Sequence, residues 1–207
     1  MGYFPFFVDL SGREGLVVGG GAVALRKIRK LLPYGPGLTV ASVTVREEIL
    51  QMEQVTVLRE PFREDMLNGK YFVIAATDDR DMNHRISRLC RERNILVNVV
   101  DDQEACSFIF PSLVRRGKLS VGISTEGASP TGAVYVRKRL EKELPENFDQ
   151  ILAFLEAKRP GIKNAIGEER QRSALFSRLF ELCLEKGREL TEEEFGEIMR
   201  KESGYRL

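Results

Sequence analysis

The stretch GLVVGGGAVALRKIRKLLP, residues 15–33, constrains this chain more than any other: an apolar strand-like run meets three glycines and passes at once into a helical pattern that stops at a proline. Gly19, Gly21 and Ala24 stand at G-x-G-x-x-A spacing, with Gly20 inside the turn. The first glycine permits the tight turn, the second lets the backbone approach a pyrophosphate, and Ala24 lets the helix pack close to the sheet. The helix start then offers unpaired N–H groups and a partial positive charge to phosphates. A merely structural glycine turn is the alternative, and the position between a first strand and a first helix favours a dinucleotide as ligand.

The surrounding pattern supports that placement. GLTVAS (37–42), VTVL (55–58), YFVIAAT (71–77) and NILVNVVD (94–101) read as further strands, the later ones apolar on both faces, as in a parallel sheet covered by helices. Between the last two, residues 81–94 place Met82, Ile86, Leu89 and Cys90 on one helical face. The alternation implies an α/β fold with a Rossmann-like parallel sheet and helices on both faces.

After residue 106 the pattern changes. Residues 107–125 hold two β-rich runs joined at Arg116-Gly117-Lys118, an antiparallel hairpin, and SPTGAVYVRKRLEKELP (129–145) opens with the serine and proline of a helix start. Residues 146–207 are charged and helical, with Thr191 and Glu194 at capping-box spacing. The expected organisation is a dinucleotide domain over 1–112, a small α+β hairpin-plus-helix segment over 113–145 that needs a partner surface, and a helical carboxyl-terminal domain over 146–207.

Composition excludes several classes. Of the 207 residues 43% are hydrophobic and 30% charged, and no apolar run of about 18 residues could span a membrane. The start, MGYFPFFVDLSGREG, lacks the basic segment and cleavage site of a signal peptide, so a cytoplasmic protein is expected. A net charge of +1 with interspersed signs argues against nucleic acid or an anionic membrane as partner. Three separated cysteines, Cys90, Cys106 and Cys183, suit free thiols rather than a disulfide framework or a zinc site, and no metal ligands are assigned.

Ligands of open parallel sheets lie beyond the carboxyl ends of the strands, where Thr77, Asp78, Asn98 and Asp101 fall. The acid that usually ends the second strand and binds the adenosine ribose is missing; Ser42 and Thr44 hydroxyls or the backbone of Val43 are the substitutes, and Arg46 leaves NADP open. The pair Asp101-Asp102 after an apolar strand is ambiguous between catalysis and turn capping. His84, the only histidine, falls one turn into a helix where a polar surface position is the ordinary explanation.

FPFFVDLSGREGLVVGGGAVALRK, VIAATDDRDMN, VNVVDD, CSFIFPS and ISTEGASP occur in an order that resembles the NAD-dependent precorrin-2 dehydrogenases of sirohaem biosynthesis, including the amino-terminal part of multifunctional sirohaem synthases. The resemblance covers about residues 4–145. It implies oxidation of precorrin-2 to sirohydrochlorin with NAD as acceptor, in a homodimer formed through the middle segment; some relatives also insert ferrous iron, so transient iron binding stays open. Asp101 matches the family's essential carboxylate. Ala22, Val23, Val43 and Thr44 match the positions of dinucleotide contacts. Asn98, Ser124 and Thr125 are the implied substrate contacts, although Glu126 stands where many relatives have glycine. Arg115, Arg116, Lys118, Arg137, Lys138 and Arg139 are cationic candidates for substrate carboxylates, or simply a solvated basic face. A rival class is a regulatory domain that senses NAD without turnover; it has no use for NVVDD followed by CSFIFPS.

Overall fold

A computed structural model of the chain describes residues 2–203, which divide into two compact units meeting in sequence at Phe110 and Pro111. The first unit is built on β1 (Glu14–Val18), β2 (Gly37–Ala41), β3 (Val55–Leu58), β4 (Phe72–Ala75) and β5 (Leu96–Val99), all parallel, in the order β3-β2-β1-β4-β5. The chain steps outward from β1 to β3, then returns to β4 and leaves in the opposite direction. Right-handed crossovers in opposite directions must lay their helices on opposite faces.

Side-chain alternation agrees. Val17, Val40 and Ile74 join Ala24, Leu25 and Ile28 of α1 (Ala22–Leu31) in one buried cluster, whereas Leu16, Val18, Val73 and Val97 join Ile86 and Cys90 of α3 (Arg80–Glu92) in another. Each fully buried Leu or Ile contributes about 1.5–3 kcal/mol relative to exposure. The expected doubly covered sheet is therefore present. The short α2 (Glu47–Leu50) seats Ile49 on the α1 side.

The second unit opens with the expected hairpin, β6 (Ser112–Arg116) and β7 (Leu119–Ile123), turning at Gly117 with φ +52°. α4 (Pro130–Glu143) begins as the sequence indicates: Ser129 accepts a hydrogen bond from Gly132 N at 2.9 Å, with Pro130 at the first helical position. α5 (Phe148–Ala165), α6 (Glu169–Lys186) and α7 (Glu192–Ser203) pack around Ile151, Ile162, Leu175, Leu179 and Cys183. The capping box forms reciprocally, Glu194 N donating to Thr191 Oγ1 (3.2 Å) and Thr191 N to Glu194 Oε2 (2.8 Å). All three cysteines are free and buried, and no helix among the described residues is long and apolar enough to cross a membrane.

Candidate active site

Parallel register brings four strands to a common level. Val18 lies opposite Ala41 on one side and Ala75 on the other, and Ala75 opposite Val99. The loops that follow these residues form one crest, and the strand order reverses between β1 and β4, where a ligand crevice opens in such sheets.

At the centre of the crest the three glycines differ in what they do. Gly19 has φ +114°, and a Cβ there would lie 2.2 Å from the Ala76 carbonyl oxygen. A Cβ on Gly20 would lie 2.4 Å from the Thr44 oxygen, so those two close the turn against neighbouring backbone. A Cβ on Gly21 would meet nothing within 4 Å. Gly21 is the residue before α1, no side chain caps that helix, and no acid occupies its first turn. The N–H groups of Ala22, Val23 and Ala24 precede the first intrahelical donor, so the end of α1 is an open, positively polarised cradle. Its shape and donors fit the diphosphate of a dinucleotide.

Beyond β2 the ribose substitutes are arranged unequally. Ser42 donates its hydroxyl to Thr44 O (2.8 Å), leaving only its acceptor side for a ligand, while Val43 and Thr44 are exposed. Arg46 is bound to Glu48 through both Nε (3.2 Å) and Nη2 (2.8 Å), and that guanidinium pushes the Glu48 carboxyl down to about 2. Arg46 thus has a carboxylate partner on its own segment, which weighs against the reading that reserves it for a 2′-phosphate.

After β4, Thr77 is fixed from two directions. Its hydroxyl donates to Asn83 Oδ1 (2.7 Å), and Asn83 Nδ2 returns a bond to Thr77 O (2.9 Å) from a buried position on α3. Asp79 caps α3 by accepting from Met82 N at 3.0 Å.

The two acids after β5 separate cleanly. Asp102 accepts from Ala105 N (3.1 Å) through one oxygen and meets His84 Nε2 (3.1 Å) through the other, so it shapes the turn. Asp101 is exposed in a left-handed conformation, φ +59°. It borders a small cavity of about 130 Å³ together with Arg80, Asn83, His84 and Asp102. His84 is largely exposed and bonded to the turn-forming acid, so His84→Ala should leave turnover within about threefold of wild type, as expected for a surface pair worth little energy; a steady-state assay checks this. Arg80 carries a guanidinium at this cavity that sequence reasoning overlooked, because its only local signal is that of a helix start.

Asn98 departs from expectation. It is buried at 4% exposure, accepting from Lys27 Nζ (3.1 Å) and donating to Phe108 O (3.0 Å), so its amide is spent inside the unit and is not offered to a substrate. Lys27, the partner, was not legible as anything but helix surface.

In the second unit, Ser124 Oγ accepts from Glu126 N (3.1 Å), and Thr125 Oγ1 exchanges bonds with Ser129 O (3.0 Å) and N (3.1 Å). Both hydroxyls therefore shape the loop before α4. Glu126 adopts φ +51°, the left-handed region that glycine favours, so glycine would suit this position better. Of the cationic candidates, Arg116 binds the carbonyls of Glu141 (3.0 Å), Leu144 (3.1 Å) and Pro145 at the end of α4; Arg137 pairs with Glu141 and Lys118 with Glu156. Arg116 in particular serves the fold, whereas Lys138 and Arg139 are exposed. Among the described residues no group of three or more His, Cys, Asp or Glu converges as a metal site.

Comparison with known proteins follows this geometry. Residues 6–112 match the family described as putative NAD(P)-binding, and residues 116–143 the one described as sirohaem biosynthesis protein central. The chain is similar to a siroheme synthase of Photorhabdus laumondii, 40% identical over 87% of this chain and 39% of that protein. A siroheme synthase of Sodalis glossinidius is 43% identical over 80% of this chain and 36% of its own length. The chain thus spans less than two fifths of these curated relatives. Among solved structures it is similar to SirC, precorrin-2 dehydrogenase, with a TM-score of 0.76 and 28% identity over 98% of this chain and 100% of that one.

Proposed function

Because the chain belongs to the putative NAD(P)-binding family through residues 6–112, we propose that it is an NAD-dependent dehydrogenase that oxidises precorrin-2 to sirohydrochlorin. One observation carries the reading: an uncapped glycine cradle and an exposed carboxylate, Asp101, share one sheet crest two strands apart, about 10 Å across the sheet. The similarity to siroheme synthases and to a precorrin-2 dehydrogenase supports precorrin-2 as the substrate.

Oxidised NAD, when bound, supplies the hydride acceptor. The residues of the chain do the rest. The first-turn N–H groups of α1 hold the phosphates, with Gly19 and Gly20 keeping the turn tight and Gly21 leaving room. Val43, Thr44 and the acceptor side of Ser42 take the adenosine ribose, and Thr77, held by Asn83, borders the other half of the crest. As the macrocycle gives up its hydride, Asp101 accepts the accompanying proton and releases it to water. Ser124 and Thr125 shape the loop before α4 in the second unit, and Arg80, which borders the Asp101 cavity in the first, is the cation proposed for a substrate carboxylate.

The assembly is proposed to be a homodimer. Val134, Tyr135 and Val136 are exposed apolar side chains around α4, at 38%, 64% and 43%, of which Tyr135 presents the most surface to a partner. Tyr135→Glu should convert a species of twice the chain mass into a monomer in light scattering; an unchanged mass would move the interface elsewhere. The activity itself is tested by anaerobic incubation with enzymatically generated precorrin-2. The sirohydrochlorin spectrum should appear with NAD and fail to appear when the dinucleotide is left out.

A further inference from the structure

Helix α1 carries four basic residues, Arg26, Lys27, Arg29 and Lys30, and Lys27 is half-buried. Its ammonium lies 3.1 Å from Asn98 Oδ1 and 3.8 Å from the centroid of the Phe110 ring. Asn98 in turn holds Phe108 O at 3.0 Å, and the Phe108 and Phe110 rings touch at 5.6 Å between centroids. Next along β5, Val99 N donates to Cys106 Sγ (3.1 Å), and Ser107 N reaches back to Val97 O (2.8 Å). The loop that carries Asp101 is therefore tied at both ends, by residues 97–99 and 106–108. A single cation fastens that tie to the helix whose first turn forms the phosphate cradle.

Burial works against the charge that makes this fastening, while Asn98 and the Phe110 ring favour it. Burial and the neighbouring Lys30 and Arg26 lower the Lys27 ammonium to about 8, only partly opposed by Cys106 and Asp101. A basic group whose folded value lies below its usual 10.5 opposes folding in full below about pH 8, and the penalty fades as pH rises from about 8 towards 10.5. A group placed only to stabilise the core would not be charged there.

We propose that Lys27 is a positioning residue for dehydrogenation: by holding Asn98 and Phe110 against α1 it keeps the Asp101 loop at a fixed place relative to the dinucleotide cradle. The catalytic half of this statement rests on the dehydrogenase reading above. The arrangement joins residues 71 positions apart, Lys27 of α1 and Asn98 of the edge strand β5.

The test uses the full chain with Lys27→Met and Lys27→Arg. Lys27→Met should keep its melting temperature near or above that of wild type, with the difference shrinking from pH 8 to 10.5, and keep NAD affinity within about threefold. Amide exchange at Val99, Ser107 and Phe108 should quicken by about tenfold or more, and kcat should fall by about tenfold or more. Lys27→Arg, which keeps the cation, should recover part of both. Unchanged exchange and unchanged kcat would overturn the proposal, as would a Lys27→Met protein that unfolds. Faster exchange with normal kcat would reduce Lys27 to a structural tie and overturn its role in positioning. A wild-type protein that leaves precorrin-2 unchanged would remove the dehydrogenase reading instead, and the exchange rates would still decide the tie.

Discussion

Asp101→Asn should lower kcat by about 100- to 10,000-fold while leaving NAD affinity within about twofold, because it removes the proposed proton acceptor and nothing from the proposed phosphate cradle. Asparagine is the informative replacement. It tolerates the left-handed conformation that Asp101 adopts at φ +59°, so the loop should keep its shape and the loss can be assigned to chemistry. The neighbouring Asp102→Asn should behave differently. Its oxygens serve Ala105 N and His84, so the change should loosen the turn and reduce turnover only through that loosening. A near-normal rate in Asp101→Asn, measured under saturating dinucleotide, would take Asp101 out of the proton transfer.

The second large effect contrasts two glycines of the same turn. Gly19→Ala puts a methyl 2.2 Å from the Ala76 oxygen at φ +114°, and should destabilise the first unit by about 3–5 kcal/mol through clash and backbone strain together. Gly21→Asp should act in the opposite sense on the fold. An added Cβ there has open space, aspartate is a favoured residue at a helix start, and its charge suits the α1 dipole, so thermal stability should hold or rise by a few tenths of a kcal/mol. The same carboxylate stands where the phosphates are proposed to approach, and NAD affinity should fall by about 100-fold or more. Calorimetric titration with parallel melting curves separates the two. Equal NAD affinity in Gly21→Asp and wild type would mean that the cradle at α1 is not the dinucleotide site.

What could be read from the sequence was what is local. The strand-glycine-helix run fixes the first crossover by spacing alone, and the Thr191–Glu194 box and the Arg116-Gly117-Lys118 hairpin are decided within a few residues. The different fates of Asp101 and Asp102 were half visible, since a turn needs one acid and the geometry shows which. Contacts between distant segments were not visible. Asn98 sits at a strand end, where ligands bind, yet its side chain points into a buried tie with Lys27 and Phe108. Lys27 looks like one of several basic residues of an exposed helix face, and only the packing of α1 against the sheet selects it. Arg116 reads as part of a basic patch, but its guanidinium closes the carbonyl end of α4. In each case a polar side chain satisfies backbone or amide groups that no local pattern displays.

The glycine cradle and Asp101 are proposed to serve one reaction in which hydride and proton leave the same macrocycle. Its most direct measurement follows sirohydrochlorin and NADH absorbance together, anaerobically, after mixing the protein with precorrin-2 and NAD. The two products should rise at the same rate and in equimolar amounts with the wild-type protein, and both rises should collapse together in Asp101→Asn. Sirohydrochlorin formation without matching NADH, or no formation at all at enzyme concentrations that bind NAD, would contradict this reading.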